Sequence, residues 1–124
     1  QAVFGLTEGR GADIVIEAVG AVPTYQQAFQ MVRRGGTLVT YGAAPAHATM
    51  EIKPFEIYSK ELTIVGSYAG TYDTWLKAIN LISSKRFKPG DIITKTIPLR
   101  QVEEGIREAM NNKDTIKIIV DCEQ

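Results

Sequence analysis

Three short stretches carry the residues best suited to holding a ligand: Val19-Gly20-Ala21, Tyr41-Gly42-Ala43 and Gly66-Ser67-Tyr68-Ala69-Gly70. Each closes an apolar, β-branched run, so each places small residues where a strand should end. Glycine at such a point lets a ligand approach the backbone, or lets the chain take a positive φ. In an open parallel sheet, ligands sit outside the carboxyl ends of the strands. Three such ends in consecutive strands point to a cleft better than one does. The competing reading is that strand-to-helix turns simply need glycine. Glu17, inside an apolar strand, is either a catalytic carboxylate with a raised pKa or, as is commoner, a hydrogen-bonded group that holds a loop. Tyr68 and Tyr72 are pocket or packing aromatics. Trp75 falls at helical spacing and reads as core, and His47 as a solvated loop residue. Lys117 alternates with Ile116 and Ile118, so it faces away from the core as an ordinary surface lysine.

No set of side chains assembles a recognised reaction centre. Gly9-Arg10-Gly11 opens like the dinucleotide fingerprint, but position 14 is Ile and the glycines precede a strand instead of following one. One histidine and one cysteine, Cys122, do not make a metal-ligand cluster. The lone thiol favours a reducing, cytoplasmic setting. No catalytic residue and no metal ligand is assigned.

The elements that must position these residues alternate. Ile14 to Gly20 reads as a nearly continuous apolar strand, buried on both faces. Pro23 and Thr24 open a helix with Tyr25, Ala28, Phe29 and Val32 on one face. Arg33 and Arg34 suit its C-terminal dipole and Gly35-Gly36 ends it. Thr37 to Tyr41 is a second strand, Pro54 to Ser59 a short helix, and Glu61 to Gly66 a third strand. Thr71 or Asp73 caps a helix bearing Trp75, Ala78, Ile79 and Ile82, which ends near Lys85. Ile92 to Ile97 is extended, a helix follows with Val102, Ile106, Ala109 and Met110 on one face, and Thr115 to Val120 is a last strand. This alternation predicts an α/β fold with a parallel sheet. The final strand belongs either to the same sheet or to another layer.

The 124 residues amount to about one domain. Fourteen basic residues balance fourteen acidic ones, which excludes binding to nucleic acid through bulk charge. No apolar run approaches the ~18 residues that a membrane helix needs.

In order and spacing, residues 11–20, 34–42, 61–68, 87–99 and 113–120 together resemble the C-terminal part of the zinc-dependent medium-chain alcohol, polyol and threonine dehydrogenases. The resemblance implies a partial, doubly wound, Rossmann-like parallel sheet over 1–90, the second half of a cofactor-binding domain. Residues 91–124 would be a tail returning to a GroES-like catalytic domain. It implies NAD or NADP as cofactor, zinc held in an N-terminal domain outside this chain, a small alcohol or polyol as substrate, and no catalytic residue here. Gln1 to Glu8 then resembles the end of the helix before the family's fourth strand, and the chain a fragment of a larger enzyme. By position, Ala18, Val19, Gly20 and Ala21 would lie along the adenosine. Tyr41, Gly42 and Ala43 would pack on the nicotinamide ribose and ring, and Ser67, Tyr68 and Ala69 would meet the carboxamide. Lys117 would reach the pyrophosphate. The resemblance further implies a homo-oligomer paired through the Leu62-Thr63-Ile64-Val65 edge. The rival readings are a zinc-free quinone or enoyl reductase of the same superfamily and a non-catalytic α/β binding or assembly module.

Overall fold

A computed structural model describes residues 1–123. The chain divides into two compact units, Gln1–Ala69 and Gly70–Gln124.

The first unit opens with a short helix, α1 (Ala2–Leu6), and continues β1 (Ala12–Glu17), α2 (Val22–Met31), β2 (Val32–Thr40), α3 (Pro54–Lys60) and β3 (Thr63–Gly66). The strands form one parallel sheet in the order β1-β2-β3. The α/β class and parallel pairing follow from the alternation of elements, because parallel neighbours need a crossover between them. In register, Glu17 lies beside Thr40 and Thr40 beside Gly66, so the three strands end together.

Ala28 and Phe29 of α2 pack with Val32 and Leu38 of β2 to form the core, and Val15, Ile52, Ile57 and Leu62 close around it. This arrangement revises two expectations. The helix stops at Met31, and Val32 already has extended angles (φ −70°, ψ 130°). Burial of this β-branched side chain and its pairing with Ala12 outweigh the helical periodicity. Arg33 is therefore no helix-end cation; its Nε donates to Asp13 Oδ1 at 2.5 Å. Secondly, β1 is covered on one face only. Val15 meets the core, while Ile14 and Ile16 are exposed. The strand also stops at Glu17, before Gly20, because the Glu17 side chain draws the following turn back on itself.

The second unit contains α4 (Tyr72–Ser83), β4 (Ile93–Pro98), α5 (Val102–Asn111) and β5 (Lys117–Asp121), with 3₁₀ turns at Pro89–Ile92 and Leu99–Gln101. Thr71 caps α4, its hydroxyl accepting from the Thr74 N–H at 3.4 Å. β4 and β5 pair in parallel as a two-stranded sheet of their own, so the last strand does not join the β1-β2-β3 sheet. Trp75 departs from expectation. It is 64% exposed, because nothing in this unit covers the apolar stripe of α4. Among the described residues no helix is long and apolar enough to cross a membrane.

Candidate functional site

The site grows from the coincident ends of β1, β2 and β3. Beyond Glu17, the turn Ala18–Ala21 leads into α2. Gly20 takes φ +82°, a conformation that favours glycine. A Cβ on Gly20 would lie 2.6 Å from the Ala43 carbonyl oxygen, and one on Gly42 would collide with the Gly20 amide nitrogen and the Glu17 carboxylate. The first two strand ends therefore touch backbone to backbone, and each glycine is required by the other.

Glu17 makes this contact possible. It is 3% exposed, the one buried charged residue among the described residues. Its Oε1 accepts from the Val19 N–H at 2.9 Å, the Gly20 N–H at 3.0 Å and the Thr24 hydroxyl at 2.7 Å. Its main-chain carbonyl accepts from the N–H groups of Tyr41 at 2.9 Å and Gly42 at 2.7 Å. Burial alone would push its pKa up, but the hydrogen bonds from Thr24, Gly20 and Val19 outweigh that and hold it below the ordinary glutamate value. The carboxylate stays ionised as a loop-holding acceptor, the commoner of the two readings its sequence position offered. The Tyr25 hydroxyl donates to the Gly42 carbonyl. Burial first, and then the neighbouring Glu17 charge, raise the pKa of this phenol.

The third strand end is tied to the second by the Ser67 N–H, which donates to the Thr40 carbonyl at 3.0 Å. Beyond it, Ala69 takes φ +51°, an uncommon angle for a residue with a Cβ. Each end presents one exposed ring or branched side chain: Val19, Tyr41 and, at 97% exposure, Tyr68. Each strand end thus exposes one apolar side chain beside small residues, a combination suited to a flat, partly apolar ligand.

The structure thus brings together ten of the positions read from the sequence: Ala18, Val19, Gly20, Ala21, Tyr41, Gly42, Ala43, Ser67, Tyr68 and Ala69. Lys117 belongs to the second unit, where it opens β5 as an exposed residue. His47 is exposed in its loop, as expected. A concavity lined by Phe29, Met50, Pro54 and Phe55 among others contains none of these positions. Thr24 and Tyr25, which in the sequence mark only a helix start and an apolar face, also hold the site through Glu17 and Gly42. An acidic residue ending an apolar strand, with hydroxyl side chains in the first turn of the next helix, was the available signal.

The sequence matches the profile of the zinc-binding dehydrogenases over residues 1–84. The chain belongs to the zinc-binding dehydrogenase family. It is 36% identical over 117 residues to a zinc-type alcohol dehydrogenase-like protein of Escherichia coli, covering 92% of this chain and 32% of that one. It is 31% identical over 115 residues to the erythritol/L-threitol dehydrogenase of Mycolicibacterium smegmatis, covering 91% and 31%. Its structure superposes on a zinc-binding dehydrogenase of Sinorhizobium meliloti, solved bound to NADP, with a TM-score of 0.77 and 27% identity, over 89% of this chain and 32% of that one. This family member therefore spans about a third of the length of the curated relatives it matches. Its sheet has the Rossmann-like pattern of that structural neighbour. Among the described residues no three His, Cys, Asp or Glu side chains come together, so these residues do not fit the family's metal and none is assigned to it.

Proposed function

We propose that this chain forms one wall of the cofactor cleft in an NAD(P)-dependent, zinc-type alcohol or polyol dehydrogenase. The observation that carries the reading is the junction of three strand ends, each with small residues below and one exposed apolar side chain above. The named activities of the relatives and the NADP held by a structural neighbour support it.

In this reading the bound nicotinamide would supply the acceptor for a hydride, with its electron pair, from a secondary alcohol carbon whose hydroxyl proton goes to solvent or a base, and zinc, which none of the described residues would hold, would supply a Lewis acid for the alcohol oxygen. The work of this chain is orientation. Ala18, Val19, Gly20 and Ala21 line the adenosine, Tyr41, Gly42 and Ala43 pack on the nicotinamide ribose and ring, and the backbone of Ser67, Tyr68 and Ala69 meets the carboxamide. Residues 1–90 form the second half of the cofactor domain and 91–124 a tail that packs on the catalytic domain. The substrate is a small alcohol or polyol, and the enzyme works in the cytoplasm. Copies pair through β3, whose residues are all exposed and whose outer edge is unpaired among the described residues.

The test is a titration of the full-length protein with NADH and with NADPH, followed by nicotinamide fluorescence. Saturable binding is expected. Val19→Asp, which puts a charge against the adenosine, should weaken it ~10-fold or more. Absence of binding for both cofactors at millimolar concentration would overturn the reading.

A further inference from the structure

We propose that Glu17 is a positioning residue that sets the affinity of the cleft for its cofactor without touching it, by holding the Val19–Gly20 and Tyr41–Gly42 turns as one body. This rests on the cofactor-cleft reading. The side chain of Glu17 gathers the first turn, with Oε1 accepting from Val19, Gly20 and Thr24 and Oε2 from the Gly20 N–H at 3.1 Å. Its own carbonyl gathers the second turn through Tyr41 and Gly42. One residue thus governs both, and the close approach of Gly20 to Ala43 leaves no slack between them. Tyr25 closes the loop by bonding Gly42 from the helix that Thr24 begins.

Every hydrogen bond to the carboxylate is donated to it, by Val19, Gly20 and Thr24, so the site favours an acceptor on both oxygens. An ionised carboxylate supplies that, and a carboxamide of the same shape does not. Its amino group would face the Gly20 N–H, donor against donor, and push the first turn outward. The residues displaced by that movement are the ones placed along the adenosine and the nicotinamide ribose. Glu17 itself is too deeply buried to reach a ligand. Misplacement of binding groups by a fraction of an ångström is enough to weaken a preorganised site.

The experiment compares the full-length wild type with Glu17→Gln, Thr24→Val and, as a control for stability alone, Leu38→Ala, a core residue outside the cleft. Cofactor Kd is read by NADH and NADPH titration, stability by the thermal midpoint, and the turns by amide hydrogen exchange over residues 18–24 and 41–45. Glu17→Gln should raise Kd ~10-fold and Thr24→Val ~3-fold, with exchange faster in both turns together. Leu38→Ala should lower the midpoint and leave Kd within ~2-fold of wild type at a temperature where the variant is folded. A folded Glu17→Gln with unchanged Kd, or with faster exchange in the first turn only, overturns the proposal. If Glu17→Gln does not fold, a folded Thr24→Val with unchanged Kd overturns it. A wild type that binds neither cofactor defeats the cleft reading and this proposal with it. A wild type that binds while the variants bind equally well defeats this proposal alone.

Discussion

In Gln1–Ala69, three parallel strands and α2 close over Ala28, Phe29, Val32 and Leu38, whereas in Gly70–Gln124 two strands and two helices bury Ile97 and Gly105 and little else among the described residues. Both units use parallel pairing and amphipathic helices. The difference lies in the number of strands. With β2 flanked on both sides, Leu38 is sealed by strand, helix and crossover at once, and the same seal removes Glu17 from water. β4 and β5 each have one neighbour, so α5 covers them without closing a core, although its own stripe is strongly one-sided. A third strand is what turns a layer into an interior, and an interior is what makes a buried acceptor worth having.

The sharpest test of this contrast is a methyl group added to each unit. Gly42→Ala has no room, since the backbone of Gly20 and the Glu17 carboxylate occupy the space; it should cost about 4 kcal/mol or more by denaturant titration. Gly90→Ala in the second unit meets nothing within 4 Å and should shift stability by less than ~0.5 kcal/mol. A similar cost at both positions would erase the distinction. Truncation in the two interiors comes next. Leu38→Ala should lose about 3 kcal/mol, whereas Ile106→Ala, on the half-exposed face of α5, should lose about 1 kcal/mol.

The smallest effect is in pH, and its sign differs between the units. The folded-state pKa of Glu17 lies below the ordinary 4.5, so the unfolded chain holds that proton more tightly. Its contribution is complete above 4.5 and declines as the pH falls below it. Glu17→Gln should flatten the acid limb of the stability profile. Asp13, held low by its hydrogen bond from Arg33, titrates in the same direction, but it is exposed, and added salt should weaken its share and leave that of Glu17. In the second unit the Glu108 hydrogen bond raises Lys95 above its ordinary 10.5, so that contribution is complete below 10.5 and fades as the pH rises through the raised value. Circular dichroism of wild type, Glu17→Gln and Lys95→Met across both limbs distinguishes them; an acid limb unchanged in Glu17→Gln would break the assignment.

The sheet was legible because Ile14–Val19 and Thr63–Gly66 are β-branched runs broken by glycine, a pattern that admits few alternatives. The ends of the second and third strands were legible for the same reason, but that of the first was not, because the Glu17 side chain folds the chain back before Gly20. The end of α2 was not, since Val32 satisfies a helical stripe and a strand equally well, and the choice is made by its pairing with Ala12 far back in the chain. The exposure of Trp75 was hidden too, because spacing reports that a helix has an apolar face and says nothing of what meets it. Thr24 and Tyr25 escaped notice because hydroxyls in a first helical turn have a local use as caps, and their distant acceptors, Glu17 and Gly42, are visible only after folding.

The bond from Tyr25 to Gly42, between residues 17 apart, also bears on the order of folding. Neither it nor the Glu17 contacts to Tyr41 and Gly42 exist until α2 has crossed over and β2 has docked beside β1. The side-chain bonds of Glu17 to Val19, Gly20 and Thr24 are local, whereas its main-chain bonds to Tyr41 and Gly42 need β2 in place. Such contacts belong to the late side of the folding barrier, so weakening them should leave the refolding rate nearly unchanged and hasten unfolding.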